Sequence, residues 1–467
     1  MSLAQPPGML ATPDLVRTFD RPGPRYTSYP TAVEFTEQFG QRAYLERLDQ
    51  AAALEHEPLS LYVHLPFCEA RCSFCGCSVI VTEKRWVAAR YLEYLKREIE
   101  LLGSRLKGRR HVVQHHWGGG TPTYFEPAQL ADLFAAISRH FDLDPRGEIA
   151  IEVDPRATTL EHVDTLRSLG FNRLSLGVQD FTERVQEAIN RRQPEAHTRG
   201  LFSYAREAGF ESINVDLIYG LPFQTLDTFG RTVEAVIDMR PERLAVYSYA
   251  HVPWIRGNQK RIDPRDLPAA PLKFELFSVA LEMLHAAGYT QIGMDHFAVP
   301  SDELARAAAS GTLYRNFMGY TTRPAADMLG AGISAIGEVR HAFAQNTKKL
   351  STYYAALDAG WFPIERGLAL GADDLVRRHV ITQLMCNFTV RKADLEGRFG
   401  VSFDQYFAAE LKELAAPDGP LGFGFVRLAH DRVDVLPPGR RFVRNVCMAF
   451  DRYLRSHDVA PVFSRTV

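Results

Sequence analysis

Four of the six cysteines in the 467-residue chain fall within ten residues, Cys68-Glu69-Ala70-Arg71-Cys72-Ser73-Phe74-Cys75-Gly76-Cys77. Three chemistries fit such crowding. Structural zinc usually takes two Cys pairs separated by a longer loop, which one short loop fits poorly. A thiol redox pair at Cys72 and Cys75 leaves two cysteines without a role. An iron-sulfur cluster uses thiolates as its usual ligands and can be wrapped by a single short loop, so the spacing favours it over the other two. Cys386 and Cys447 lie far off in apolar surroundings and read as buried thiols.

The loop follows the apolar run 59–65, the first of six short β-branched or aromatic stretches. The others are 112–117, 148–153, 173–178, 212–218 and 243–249. Between them lie segments of helical period at 83–102, 127–140, 160–169, 182–208 (broken at Pro194) and 225–239. Six βα units in succession favour a parallel sheet with helices outside. Each strand ends in polar or glycine residues: the cysteine loop, then Gly118-Gly119-Gly120-Thr121-Pro122, Glu152 with Asp154, Gln179 with Asp180, Asp216, and Ala250 with His251. Sites assembled from many strand ends belong to barrels, whereas an open sheet concentrates its site at one switch point. The expected fold is therefore α/β, a partial (β/α)6 TIM-like barrel. An extended N-terminal arm and helix precede it over 1–50, the catalytic domain runs over 51–365, and a small, mainly helical domain follows over 366–467.

In that last domain helices are expected at 373–385, 403–414 and 439–454, with a short β piece at 423–428 and 432–435. Arg440, Arg441 and Arg444 read as a solvated helix face. Gly330-Ala331-Gly332-Ile333-Ser334-Ala335-Ile336-Gly337 has the glycine spacing of a phosphate or cofactor loop, a weak signal when alone. A formal charge of −2 with interspersed signs argues against nucleic-acid binding. No apolar run reaches the length of a membrane span, and the start lacks a secretory pattern, so a cytoplasmic location is expected.

Cys68-x3-Cys72-x2-Cys75, with Phe74 inside it and Gly-Gly-Gly-Thr-Pro after the second strand, resembles the radical S-adenosylmethionine (SAM) superfamily. The likeness extends through Pro24-Arg25-Tyr26-Thr27-Ser28-Tyr29-Pro30, His116-Trp117, Glu152-Val153-Asp154-Pro155-Arg156, Gly177-Val178-Gln179-Asp180, Asp216-Leu217-Ile218-Tyr219-Gly220-Leu221-Pro222 and Gly293-Met294-Asp295-His296-Phe297. Together these look like the oxygen-independent coproporphyrinogen III oxidases of haem biosynthesis. A haem-chaperone branch of the same fold typically has phenylalanine where Cys77 stands and lacks the Arg-Tyr-Thr-Ser-Tyr-Pro arm. A haem-utilising radical SAM enzyme is a further alternative.

The resemblance implies an oxidoreductase that converts two propionates of coproporphyrinogen III to vinyl groups. In it, an electron from a reduced 4Fe-4S cluster splits SAM, and the resulting 5′-deoxyadenosyl radical abstracts the β-hydrogen. Cys68, Cys72 and Cys75 would hold three irons, leaving the fourth open to SAM; Cys77 would not ligate. The implied SAM and catalytic residues are Tyr62, Phe74, Gly119, Gly120, Thr121, Glu152, Phe317 and Ile336. A second SAM is implied at Gln179, Arg191, Asp216 and Ala250. Read on its own residue type, Arg191 near a helix end would be a surface ion pair. Met318 stands where the family often carries glutamine. An electron donor is implied without its identity, and a monomer is expected. Replacing Cys77 by serine is expected to preserve the iron content of the anaerobically reconstituted chain, and replacing Cys72 by serine to abolish it. Equal iron loss in both variants would contradict the ligand set.

Overall fold

Residue 15, residues 18–455 and residues 463–466 are described in the computed structural model. The six expected strands form in sequence order: β1 (Leu59–Leu65), β2 (His111–Gly119), β3 (Asp142–Val153), β4 (Arg173–Gln179), β5 (Ser212–Tyr219) and β6 (Arg243–Ser248). Each pairs in parallel with the next. Helices connect them, so successive strands lie side by side as in one wall of a barrel. Beyond β6 the sheet adds His296–Ala298 and Thr290–Gln291. Beyond β1 it adds Asp327–Ala331 in parallel, then the antiparallel Ile336–Val339, Ala342–Asn346 and Ile364–Ala369.

Alternation along the parallel strands separates the two faces. Ile151, Leu176, Val215, Leu217 and Val246 enter the main apolar core. Glu152, Ser175, Gly177, Asp216 and Tyr247 turn the other way and line a cavity. The helices present matching stripes: on Arg85–Leu106, the buried residues Leu92, Leu95, Ile99, Leu102 and Leu106 recur every three or four positions. The expected 182–208 helix is two, Glu183–Ala188 and Glu195–Glu207. Asn190 adopts φ +54 between them, and Pro194 precedes the second. That bend turns Arg191 inward, so the surface ion-pair reading of this residue is wrong: its guanidinium is buried against Asp154.

The C-terminal residues form a core of their own, built on Val380, Leu384, Phe403, Phe407, Val433 and Val446, which also takes in Tyr26 and Tyr29 of the arm. Three short strands, Thr389–Arg391, Val426–Leu428 and Arg432–Val435, accompany its helices. The single helix expected at 439–454 is instead a 3-10 turn Pro437–Phe442, a helix Val443–Ala449 and a 3-10 turn Tyr453–Arg455. The interruption lets Asp451 accept from the Tyr453 N–H at 2.9 Å and from Tyr26 Oη at 3.0 Å. Arg444 corrects a second expectation. It is buried, and its Nε donates to the Pro24 carbonyl at 2.9 Å, clamping the arm instead of facing solvent. Among the described residues no helix is long and apolar enough to cross a membrane.

One buried ion pair joins the first parallel strands to the flanking sheet. Arg109 and Asp327, with side chains 0% and 1% exposed, meet at 2.5 Å. Arg109 also donates to the carbonyls of Ala51, Glu57 and Pro58. Removing one partner of such a pair strands the other charge in the core, at a cost of about 3–5 kcal/mol. Arg109→Met is therefore expected to lower the urea midpoint by that stability equivalent. An unchanged midpoint would show the pair to be dispensable.

Candidate active site

The cysteine loop is held from three sides by backbone-directed hydrogen bonds. Across the top of β2, the Gly120 N–H donates to the Leu65 carbonyl at 2.9 Å and the Thr121 N–H to the Phe67 carbonyl at 2.8 Å. This contact requires glycine, because a Cβ on Gly120 would lie 2.5 Å from the Pro66 carbonyl carbon. Gly119, at φ +117, leaves room for the His64 ring. On a second side the Ser73 N–H donates to the Ile189 carbonyl at 2.8 Å, and Asn190 Nδ2 to the Arg71 carbonyl at 3.0 Å. On the third, Asn258 Nδ2 lies 3.1, 3.1 and 3.0 Å from the carbonyls of Cys72, Ser73 and Cys75. Gln259 Nε2 donates to the Phe74 carbonyl at 2.9 Å. Both amides sit on the 3-10 turn Gly257–Arg261.

The three sulfurs have different surroundings but share one cavity of about 470 Å³. Cys68 Sγ is 3.4 Å from Thr121 Oγ1, and burial pushes its pKa up to about 11. Cys72 Sγ accepts from Arg156 Nη2 and Arg191 Nη1, each at 3.6 Å. Both arginines pair with Asp154, at 2.7 and 2.8 Å. Burial works against the Asp154 carboxylate, but Arg191 and Arg156 outweigh it and hold the pKa below the usual range. The Cys77 N–H donates to Cys75 Sγ at 3.4 Å, and contacts with Cys77 lower the Cys75 pKa below the usual thiol range.

Of the other expected residues, Phe74, Gly119, Gly120, Thr121, Glu152, Gln179, Arg191 and Asp216 line this same cavity. Glu152 accepts from the Gly119 N–H at 3.2 Å and contacts His116 Nε2 at 3.3 Å. Burial would raise its pKa; His116 and the Gly119 N–H reverse that and keep it an anion. Tyr62 stands behind the lining, its ring stacked on His116 at 6.0 Å and its hydroxyl 2.9 Å from His64 Nδ1. Gln179 adopts φ +69 where β4 shifts register against β5, and its buried Oε1 has no hydrogen-bond partner among the described residues. Such backbone strain beside an orphaned acceptor fits Gln179 to a ligand contact. Asp216 accepts from Ser175 Oγ at 3.2 Å and Asn214 Nδ2 at 2.8 Å; burial raises its pKa to about 6.

Three further expected residues, besides Tyr62, lie outside this lining. Ala250 borders a separate cavity of about 330 Å³, and its carbonyl accepts from Gln259 Nε2 at 3.1 Å. Ile336 opens the strand Ile336–Val339 and packs its backbone over Gly330, the register partner of Tyr62. Phe317 lies in the turn between Tyr314–Asn316 and Gly319–Thr321, edge-on to Phe343 at 5.5 Å. The 330–337 stretch is not an anion loop. Its N–H groups are already engaged: Gly332 with Glu98, Ile333 with Tyr91 Oη and Ser334 with the Thr347 carbonyl. Asn258 and Gln259 escaped the sequence reading because their partners lie far away in the chain and no motif marks them.

Residues 62–236 match the profile of the Radical SAM superfamily, and residues 370–442 match that of the HemN C-terminal domain. The site thus has the framework of a radical SAM protein, a class whose members hold a 4Fe-4S cluster and SAM. The oxygen-independent coproporphyrinogen III oxidase of Escherichia coli K12 is 46% identical over 454 residues, covering 97% of this chain and 98% of the relative. Its counterpart from Pseudomonas aeruginosa is 47% identical over 448 residues, covering 95% and 96%. The solved structure of coproporphyrinogen III oxidase (HemN) from Escherichia coli, described as a radical SAM enzyme, superimposes with a TM-score of 0.88, covering 92% of this chain and 97% of that one. The chain belongs to the oxygen-independent coproporphyrinogen III oxidase family.

Asn258 is the most replaceable part of the loop clamp, since its side chain contributes hydrogen bonds and little apolar burial. Leaving its carbonyl partners unmet costs roughly 1–3 kcal/mol. In Asn258→Ala, iron release to a chelator is expected to accelerate about tenfold or more, with a smaller fall in urea midpoint than in Arg109→Met. A release rate equal to the parent's would show that the amide does not hold the loop.

Proposed function

We propose that this chain oxidatively decarboxylates two propionate side chains of coproporphyrinogen III to vinyl groups, giving protoporphyrinogen IX in haem biosynthesis. The observation that carries the reading is the convergence of Cys68, Cys72 and Cys75 with Gly119, Gly120, Thr121 and Glu152 on one cavity. Near-full-length membership in the oxidase family supports the substrate. In this reading the three thiolates would hold a 4Fe-4S cluster, and Cys77 would not ligate it. When bound, the cluster and SAM supply radical hydrogen-atom abstraction, which an unactivated propionate β-carbon requires because no side-chain base can deprotonate it.

The chain's own residues position and shield. Gly119, Gly120 and Thr121 offer closely approaching backbone and one hydroxyl to the amino-acid end of SAM, and the Glu152 carboxylate faces its cationic amino group or ribose. Phe74 presents a ring face to adenine, with Ile336 as a further apolar contact. Arg156 and Arg191 place positive charge against Cys72 Sγ, which favours the more negative, reduced state of anything ligated there. Gln179, Arg191, Asp216 and Ala250 are proposed for a second SAM. Gln179 Oε1, without a hydrogen-bond partner among the described residues, and the buried Asp216 suit a cationic ligand, although Ala250 borders a different cavity. Tyr62 buttresses His116, and Phe317 is proposed to act near substrate. Each propionate loses one hydrogen atom, carbon dioxide and one electron. An external donor must reduce the cluster beforehand, and the chain is proposed to work as a cytoplasmic monomer.

Anaerobic incubation of the reconstituted protein with coproporphyrinogen III, SAM and a reductant is expected to yield protoporphyrinogen IX. Tight haem binding without a vinyl product would favour a chaperone role. Because the Asp216 pKa is raised to about 6, its anionic form is lost as pH falls through that value. Binding of a cationic ligand there should weaken by about tenfold for each pH unit below it. Asp216→Asn is expected to remove that dependence and to bind one SAM per chain where the parent binds two. Parent-like stoichiometry in the variant would refute the second site.

A further inference from the structure

The hairpin Tyr314–Asn316/Gly319–Thr321 spans the gap between the parallel strands and the C-terminal unit. Asn316 Nδ2 donates to Gln114 Oε1 on β2 at 2.9 Å, and Thr321 Oγ1 lies 3.3 Å from Glu148 on β3. Between them Arg315 lies over the Tyr320 ring at 4.9 Å. Its Nε and Nη1 are buried and have no hydrogen-bond partner among the described residues. A guanidinium with two orphaned donors is costly to bury, and the usual resolution is an anion that completes it. Asp295 does not serve: it pairs with His296 at 2.7 Å and with Arg25 at 3.8 Å.

Arg315 opens on a cavity of about 30 Å³ that Tyr26, Ser28, Tyr29 and Phe317 help to enclose. That volume accommodates one small group and no aromatic ring. The other charges on its wall, Arg378 and Glu338, are paired with each other, so Arg315 supplies the net positive charge. Arg315 also lies close enough to Tyr247 to influence its ionisation, and Tyr247 lines the cavity of the cysteine loop. We propose that Arg315 anchors a propionate carboxylate of the tetrapyrrole in this small cavity, positioning the macrocycle while another propionate faces the cysteine loop. The inference rests on the substrate reading above. It makes Arg315 a binding and specificity residue that acts by forked hydrogen bonds to carboxylate.

The test compares coproporphyrinogen III with its tetramethyl ester under anaerobic conditions, using the reconstituted full-length protein. The parent is expected to bind the acid at least tenfold more tightly than the ester. Arg315→Gln should raise KM for the acid by roughly tenfold to a hundredfold, as loss of a charged hydrogen bond predicts. It should erase the preference for acid over ester while retaining iron content and SAM affinity, and Arg315→Lys should restore part of that preference. A parent that binds acid and ester equally, an Arg315→Gln enzyme with parental KM, or a variant whose only defect is lost iron would each overturn the anchor. A parent that fails to turn over coproporphyrinogen III at all would instead overturn the substrate reading.

Discussion

The ion cluster that the buried Asp154 and Arg191 form with the more exposed Arg156 against Cys72 Sγ is the constraint on which the rest of the site depends. Thiolates gathered in a partly buried cavity repel one another and resist desolvation unless positive charge is close by. Two guanidinium groups provide it, and one carboxylate fixes both. Asp154 follows β3, Arg191 sits on the bend between two helices and donates to the Gly177 carbonyl of β4, and Cys72 lies on the loop after β1. Three separate βα units must therefore be in register before the sulfur environment exists. A parallel sheet meets that requirement, because each strand end is fixed relative to its neighbours by the ladder between them.

Backbone geometry carries the second part of the account. Gly119 and Gly120 allow one strand end to lie directly against the chain entering the cysteine loop, where any side chain would collide. The Asn258 amide then holds the other side of the loop by its carbonyls. The loop is thus positioned almost entirely through main-chain atoms, which leaves the Cys68, Cys72 and Cys75 side chains available for ligation. Behind Glu152, the succession of His116, Tyr62 and His64 provides a packed, hydrogen-bonded support, so the carboxylate keeps its orientation without a direct ion pair to an arginine.

Much of this was legible in the residues themselves. β1 was bounded correctly because an apolar run stops at Pro66, and the helix Pro127–His140 because proline suits a first helical turn and β-branched residues are scarce within it. Strand ends bearing cysteine, glycine, glutamate and aspartate pointed to a multi-strand site. What could not be read were contacts between distant parts of the chain. Arg444 looks like a surface cation until the arm's carbonyls, some 420 residues away, are brought to it. Asn258 and the inward turn of Arg191 depend in the same way on tertiary placement. The 439–454 segment has helical period throughout, and only the Asp451 side chain reveals the break. The glycine spacing at 330–337 suggested a ligand loop, but neighbouring side chains and carbonyls consume its N–H groups.

In the proposed reading Cys68, Cys72 and Cys75 would hold the cluster, and Gly119, Thr121 and Glu152, which line the same cavity, would receive SAM beside it. Electron–nuclear double resonance of the reduced, reconstituted protein with SAM labelled by oxygen-17 in its carboxylate and nitrogen-15 in its amino group tests that arrangement most directly. Hyperfine coupling of both labels to the cluster is predicted. A cluster whose spectrum does not change when SAM is added, with no coupling to either label, would contradict it.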